Sequence, residues 1–134
     1  MVGSSESLPF KDNSFDIVRS NYVVEHCLKV EQMIREHLRV CRKKVVIVTD
    51  NNEWVGDIYH RLVGTGRIFN KQHCYAWTKE YMINLLERMK IKKYKVELRN
   101  MSPRLITRIV SKFAFTEKLK HFFLREIVVE ITKV

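Results

Sequence analysis

The chain has 134 residues, 46% hydrophobic, with seven Phe, five Tyr and two Trp but only four Gly and two Pro, which supports one folded core and excludes a fibrous or disordered chain. Cys27, Cys41 and Cys74 form no Cys-x-x-Cys pair or Cys/His cluster, and no stretch approaches the ~18 continuous apolar residues of a spanning helix, which argues against a disulfide scaffold, a zinc finger and a membrane-inserted helix. The net charge of +10 is lopsided: residues 1–60 carry 8 basic and 9 acidic side chains, whereas residues 61–134 carry 17 and 6.

These features predict reduced thiols and a cytoplasmic protein. The basic second half reads either as a lysine-rich solvated exterior or as a nucleic-acid surface. Its cations are scattered over strands and helices without the aromatic–basic motif of a known reader module.

In chain order, Phe15 to Ser20 reads as a short buried strand, because Phe15, Ile17 and Val18 follow the turn formers Asp12, Asn13 and Ser14. Val30, Met33, Ile34, Leu38 and Cys41 recur at helical spacing, which predicts an amphipathic helix over 30–42. Lys44 to Asp50, "KVVIVTD", is a β-branched run suited to a strand covered on both faces. The stretch after it predicts a helix with Trp54, Ile58 and Leu62 on one side, closed by Gly64 and Gly66.

Thr78 is placed to cap the next helix, in which Met82, Leu85, Leu86 and Met89 share a face. From Lys93 to Arg99 apolar and charged residues alternate, as in a strand near a sheet edge with one solvated face. Ser102-Pro103 starts a helix over Leu105 to Phe113, and a shorter one follows from Thr116. "EIVVEITKV" is a last strand. Neither repeats nor linkers appear, so one domain over 1–134 is expected.

Two stretches carry a resemblance. Glu6, Leu8, Pro9, Phe10, Asp12, Ser14, Phe15, Asp16 and Val18 stand in the register "E-x-LPF-x-D-x-SFD-x-V", and "SNYVVEH" and "IREHLRVCRKKVVIVT" follow. Residues 6–50 thereby resemble the central part of class I S-adenosylmethionine-dependent methyltransferases, particularly the small-molecule group often called type 11. "HCYAWTKEYMINLLERM" is similar to the helix before that family's sixth strand.

The resemblance implies a partial Rossmann-like α/β fold: a four-stranded mixed sheet in the family order 4-5-7-6, with flanking helices. It implies S-adenosylmethionine as cofactor, bordered at the adenine by Ser4, Ser5 and Glu6 and at the methyl group by Ser20 and Asn21, with His26 facing the site. For Glu6 and Asn21 the competing reading is loop capping and strand-end hydrogen bonding; for His26 it is capping of the turn. Trp54, Tyr59, His60, His73, Tyr75 and Trp77 fall where the family recognises the methyl acceptor, or else they are core packing.

The family's glycine-rich turn and its ribose-binding acid have no counterpart in these residues, which reads as a half-domain whose autonomous activity is doubtful. Ser4 stands where the family often has an aspartate, and Arg42, Lys43 and Lys44 replace a Pro-Gly-Gly turn. With the preceding half absent, the Phe15–Ser20 strand would be an open edge, so a homodimer or a partner completing the sheet is expected. The resulting readings are a methyltransferase-like protein, a non-catalytic interaction subunit or a basic nucleic-acid binder. No His-Glu-x-x-His or other local ligand spacing predicts a metal, and no catalytic residue is singled out.

Overall fold

A computed structural model describes residues 3–52, 73–99, 124 and 126–133. Four strands form one sheet: β1 (Phe15–Asn21), β2 (Cys41–Asp50), β3 (Tyr94–Arg99) and β4 (Glu126–Thr132), in the order β1-β2-β4-β3. β1 and β2 run parallel, and β4 lies antiparallel to both β2 and β3. With β1 taken as the family's fourth strand, this is the expected 4-5-7-6 order of a partial Rossmann-like α/β fold.

A 3-10 turn (Val24–His26) and the helix α1 (Val30–Val40) connect β1 to β2, and α2 (Lys79–Arg88) precedes β3. The helices expected around Trp54–Leu62, Leu105–Phe113 and from Thr116 lie outside the described residues.

Alternation along the strands assigns the core. Val45 and Ile47 of β2, and Ile127, Val129 and Ile131 of β4, pack with Met33 and Ile34 of α1 and Met82, Leu85 and Leu86 of α2 in one buried cluster. Burying a side chain of this size stabilises by roughly 1.5–3 kcal/mol. On the opposite face Ile17, Val46, Val48 and Val128 line a shallow depression.

α1 is shorter than its periodicity predicts. It ends at Val40, and Cys41 and Arg42 already belong to β2, with Cys41 in extended conformation. No glycine turns the chain there. Instead the Lys133 ammonium donates to the carbonyls of Leu38 and Cys41, at 2.9 Å each, and to Asn13 Oδ1 at 2.7 Å, satisfying acceptors that a helix end leaves open. A register shift between Phe15 and Ile17 absorbs the sharp entry into β2. Asp16 there pairs with Arg42 at 2.8 Å and Lys43 at 3.5 Å.

α2 carries the expected cap: Thr78 accepts from the Tyr81 N–H at 3.1 Å. At its other end Lys90 adopts φ 59°, and the N–H groups of Lys90 and Ile91 donate to Glu87 and Leu86. That is a Schellman closure with lysine in the position that favours glycine.

Candidate functional site at the carboxyl ends of β1 and β2

In open α/β sheets ligands bind beyond the carboxyl ends of the strands. Here the chain leaves β1 through Tyr22, held at φ 52° with its N–H donating to the Val48 carbonyl at 2.8 Å, and enters the 3-10 turn. The Tyr22 hydroxyl bonds the Glu126 carboxylate, tying the end of β1 to the start of β4.

The segment before α2 docks onto these ends. Cys74 N–H donates to the Glu25 carbonyl at 2.7 Å, Asn52 N–H to the Trp77 carbonyl at 2.9 Å, and the Tyr75 hydroxyl to the Leu28 carbonyl at 3.1 Å. His73 thereby comes against His26, with ring centroids 4.8 Å apart in an edge-to-face arrangement.

Glu25, beside them, is only 2% exposed. Its Oε2 accepts from the Thr49 hydroxyl at 3.1 Å, while Oε1 has no hydrogen-bond partner among the described residues. Burial pushes its carboxyl pKa up, and the nearby Asp50 pushes the same way, against its own backbone amide first, then the Thr49 bond and the His73 ring. Ligand atoms of Glu25, His26 and His73 lie within 4.8 Å of one another. No local spacing in the sequence announces this group, because His73 reaches it from the far side of β2.

The adenine-side candidates are engaged within the chain. Ser4 Oγ accepts from the Glu6 N–H, Ser5 Oγ lies 3.2 Å from Cys27 Sγ, and Glu6 Oε1 accepts from the Lys29 N–H at 2.9 Å. Glu6 therefore closes the amino end of α1, a role its own cap position Lys29 does not fill. Gly3 is no cofactor cradle: a Cβ there would meet Pro9 at 3.5 Å, an ordinary contact.

Toward the methyl side, Asn21 is exposed and accepts from Arg19 Nε at 2.8 Å. Ser20 is buried and its hydroxyl has no partner among the described residues, an orphan that suits a ligand contact. Of the residues named for the cofactor, Ser20 keeps a hydroxyl without a partner among the described residues, while Ser4, Ser5 and Glu6 each make a contact within the chain.

Of the acceptor-side candidates, Trp54, Tyr59 and His60 lie outside the described residues. Trp77 is 1% exposed and packs against Tyr75 at a tilt and against Tyr81 edge-on, with ring centroids 5.6 and 5.3 Å away, and its Nε1 is unpaired among the described residues. Tyr75, Trp77, Tyr81 and Leu28 line a groove of about 440 Å³ with Arg35 and Arg88 at its rim. His37 is buried, its Nδ1 2.8 Å from the Met33 carbonyl, as a packing residue. What the sequence did not single out is Arg39, whose guanidinium holds Leu8, Phe10, Asp12 and Glu36 and so fixes the loop leading into β1.

Residues 1–49 match the family model described as a methyltransferase domain. A stretch of 40 residues is 40% identical to the mitochondrial 2-methoxy-6-polyprenyl-1,4-benzoquinol methylase of Dictyostelium discoideum, covering 30% of this chain and 13% of that enzyme. In fold, 98% of the chain superposes on 62% of a possible histamine N-methyltransferase from Thermotoga maritima, with TM-score 0.65 and 17% identity. The whole chain superposes on 60% of a Haloferax volcanii methyltransferase solved with its Trm112 activator, with TM-score 0.58 and 13% identity. The chain therefore spans less than two thirds of each of these three relatives. Among the described residues no helix is long and apolar enough to cross a membrane.

Proposed function

We propose that the chain is the methyl-acceptor half of a class I S-adenosylmethionine-dependent methyltransferase domain, serving transfer to a small or lipid-like acceptor; the match of residues 1–49 to the methyltransferase-domain model and the fold shared with solved methyltransferases support this reading. The observation that carries this is the convergence of the orphan Ser20 hydroxyl, the Glu25–His26–His73 group and the 73–78 segment at the carboxyl ends of β1 and β2. Methyl transfer from a sulfonium is an in-line displacement, so the protein's work is alignment and exclusion of water. Aromatic walls at Tyr75, Trp77 and Tyr81 suit a flat or apolar acceptor.

These 134 residues alone bind the cofactor weakly. The groups around Ser4 to Glu6 are used internally, and the family's glycine turn and ribose acid are not among the residues. Each missing hydrogen bond costs about 1–3 kcal/mol, enough together to move micromolar affinity toward millimolar. Calorimetric titration of the chain with S-adenosylmethionine is expected to give no heat of saturable binding at micromolar concentrations. A low-micromolar dissociation constant would overturn this.

A second reading has its own observation. Phe15 and Ile17 are 40% and 61% exposed on β1, which among the described residues is paired on one side only. An apolar open strand suits a chain that works by joining another, whether a second copy or a protein that completes the sheet.

A further inference from the structure

We infer that Glu25, His26 and His73 form a binding site for one divalent transition-metal cation. The donor set is one carboxylate and two imidazoles, supplied by the 3-10 turn after β1 and by the segment that docks against it. Two neutral nitrogens with one anionic oxygen suit zinc, iron, cobalt or manganese in the +2 state better than magnesium or calcium, which prefer all-oxygen sets.

The geometry is close to what a cation needs. Donor atoms around one such ion, bound at about 2.0–2.2 Å, lie roughly 3–3.6 Å apart, against the 4.8 Å within which these atoms already fall. His26 is exposed and His73 half-buried, so a cation can reach the two imidazoles from solvent.

An independent observation points the same way. Glu25 is 98% buried, counting the 2% exposure of the residue, and Oε1 is left without a hydrogen-bond partner among the described residues. An unpaired buried carboxylate oxygen is costly, and a cation is the partner that offsets it best. Thr49 holds the other oxygen at 3.1 Å, which fixes the carboxylate as an outer partner does for a metal ligand.

Three protein ligands leave at least one coordination position open. The use of that position rests on the methyl-transfer reading: an acceptor hydroxyl bound there would give its proton to solvent more readily, and the alkoxide or phenoxide would form the new O–CH3 bond as the sulfonium S–CH3 bond breaks and S-adenosylhomocysteine leaves. The site itself does not rest on that reading.

The test uses the chain after treatment with EDTA, titrated with Zn²⁺ by calorimetry and with Co²⁺ by visible absorption. One equivalent is expected to bind with micromolar affinity or better. His73→Ala is expected to weaken binding at least ~100-fold, since it removes a direct ligand where even supporting partners are worth 10–100-fold. Glu25→Gln keeps the Thr49 contact and is expected to do the same, while Cys74→Ser leaves binding unchanged. His73 lies off the core, so its variant keeps the test decisive even if Glu25→Gln fails to fold. Binding no tighter than millimolar, binding that survives His73→Ala, or binding lost in Cys74→Ser would each overturn the site. Because the readout is the metal, failure here is distinct from failure to bind S-adenosylmethionine.

Discussion

Lys90 shows how a single residue can oppose its backbone. It holds the left-handed conformation that closes α2, its side chain is exposed, and both of its neighbours in the closure keep their hydrogen bonds. A β-carbon in that region costs about 1–2 kcal/mol, from which glycine's greater freedom in the unfolded chain takes back part. Lys90→Gly is therefore expected to stabilise the protein by about 1 kcal/mol, raising Tm by roughly 4 °C for a chain of this size. Thermal unfolding followed by circular dichroism checks it; an unchanged or lower Tm would show that the lysine stem contributes more than its conformation costs.

At the scale of elements, the loop before β1 and the end of α1 are fixed by charges. Glu36 accepts from Arg39 at 2.8 and 2.9 Å and from the Leu8 N–H at 2.9 Å. The guanidinium first, then the Leu8 amide, bring its carboxyl from the ordinary 4.5 down to about 2. A depressed folded-state value means the contribution is complete above pH 4.5 and is lost as pH falls from there toward 2. Wild type is expected to lose Tm across that window more steeply than Glu36→Gln, which starts a few degrees lower at neutral pH, with the two curves meeting near pH 2. Parallel curves would remove the assignment. The same elements show what the sequence made legible. The four strands and the helices α1 and α2 were readable from residue pattern, and the sheet order followed from the family resemblance. The early end of α1 did not, because its helical spacing runs through Cys41 while the deciding contact, Lys133 on the Leu38 and Cys41 carbonyls, comes from the other end of the chain. The Glu25–His26–His73 group was hidden for the same reason: local motifs report neighbours in sequence, and this group is assembled by docking. For Glu6 the sequence left adenine contact and loop capping open, and its carboxylate accepts from the Lys29 N–H.

For the whole molecule, the open strand and the net charge act against each other. β1 presents unpaired backbone groups on its outer side among the described residues, with Phe15 stacked edge-to-face on Phe10 at 5.0 Å and Ile17 61% exposed beside them. Such an edge favours pairing with a second β1 about a twofold axis, which would extend the sheet across two copies. Each copy carries +10, so the approach is opposed by a repulsion that salt screens over about 8 Å at physiological ionic strength and over about 3 Å at 1 M. Dimerisation is therefore expected to strengthen with added salt, the opposite of an interface held by ion pairs. Ile17→Lys puts a cation on the edge without touching the helical core, and is expected to weaken association at least tenfold while leaving Tm nearly unchanged. Sedimentation equilibrium at low and high salt reads both effects. A wild-type chain that stays monomeric at every concentration and salt would mean that β1 awaits a different protein or needs none, and association that weakens with salt would place the contact on charged surfaces away from this strand.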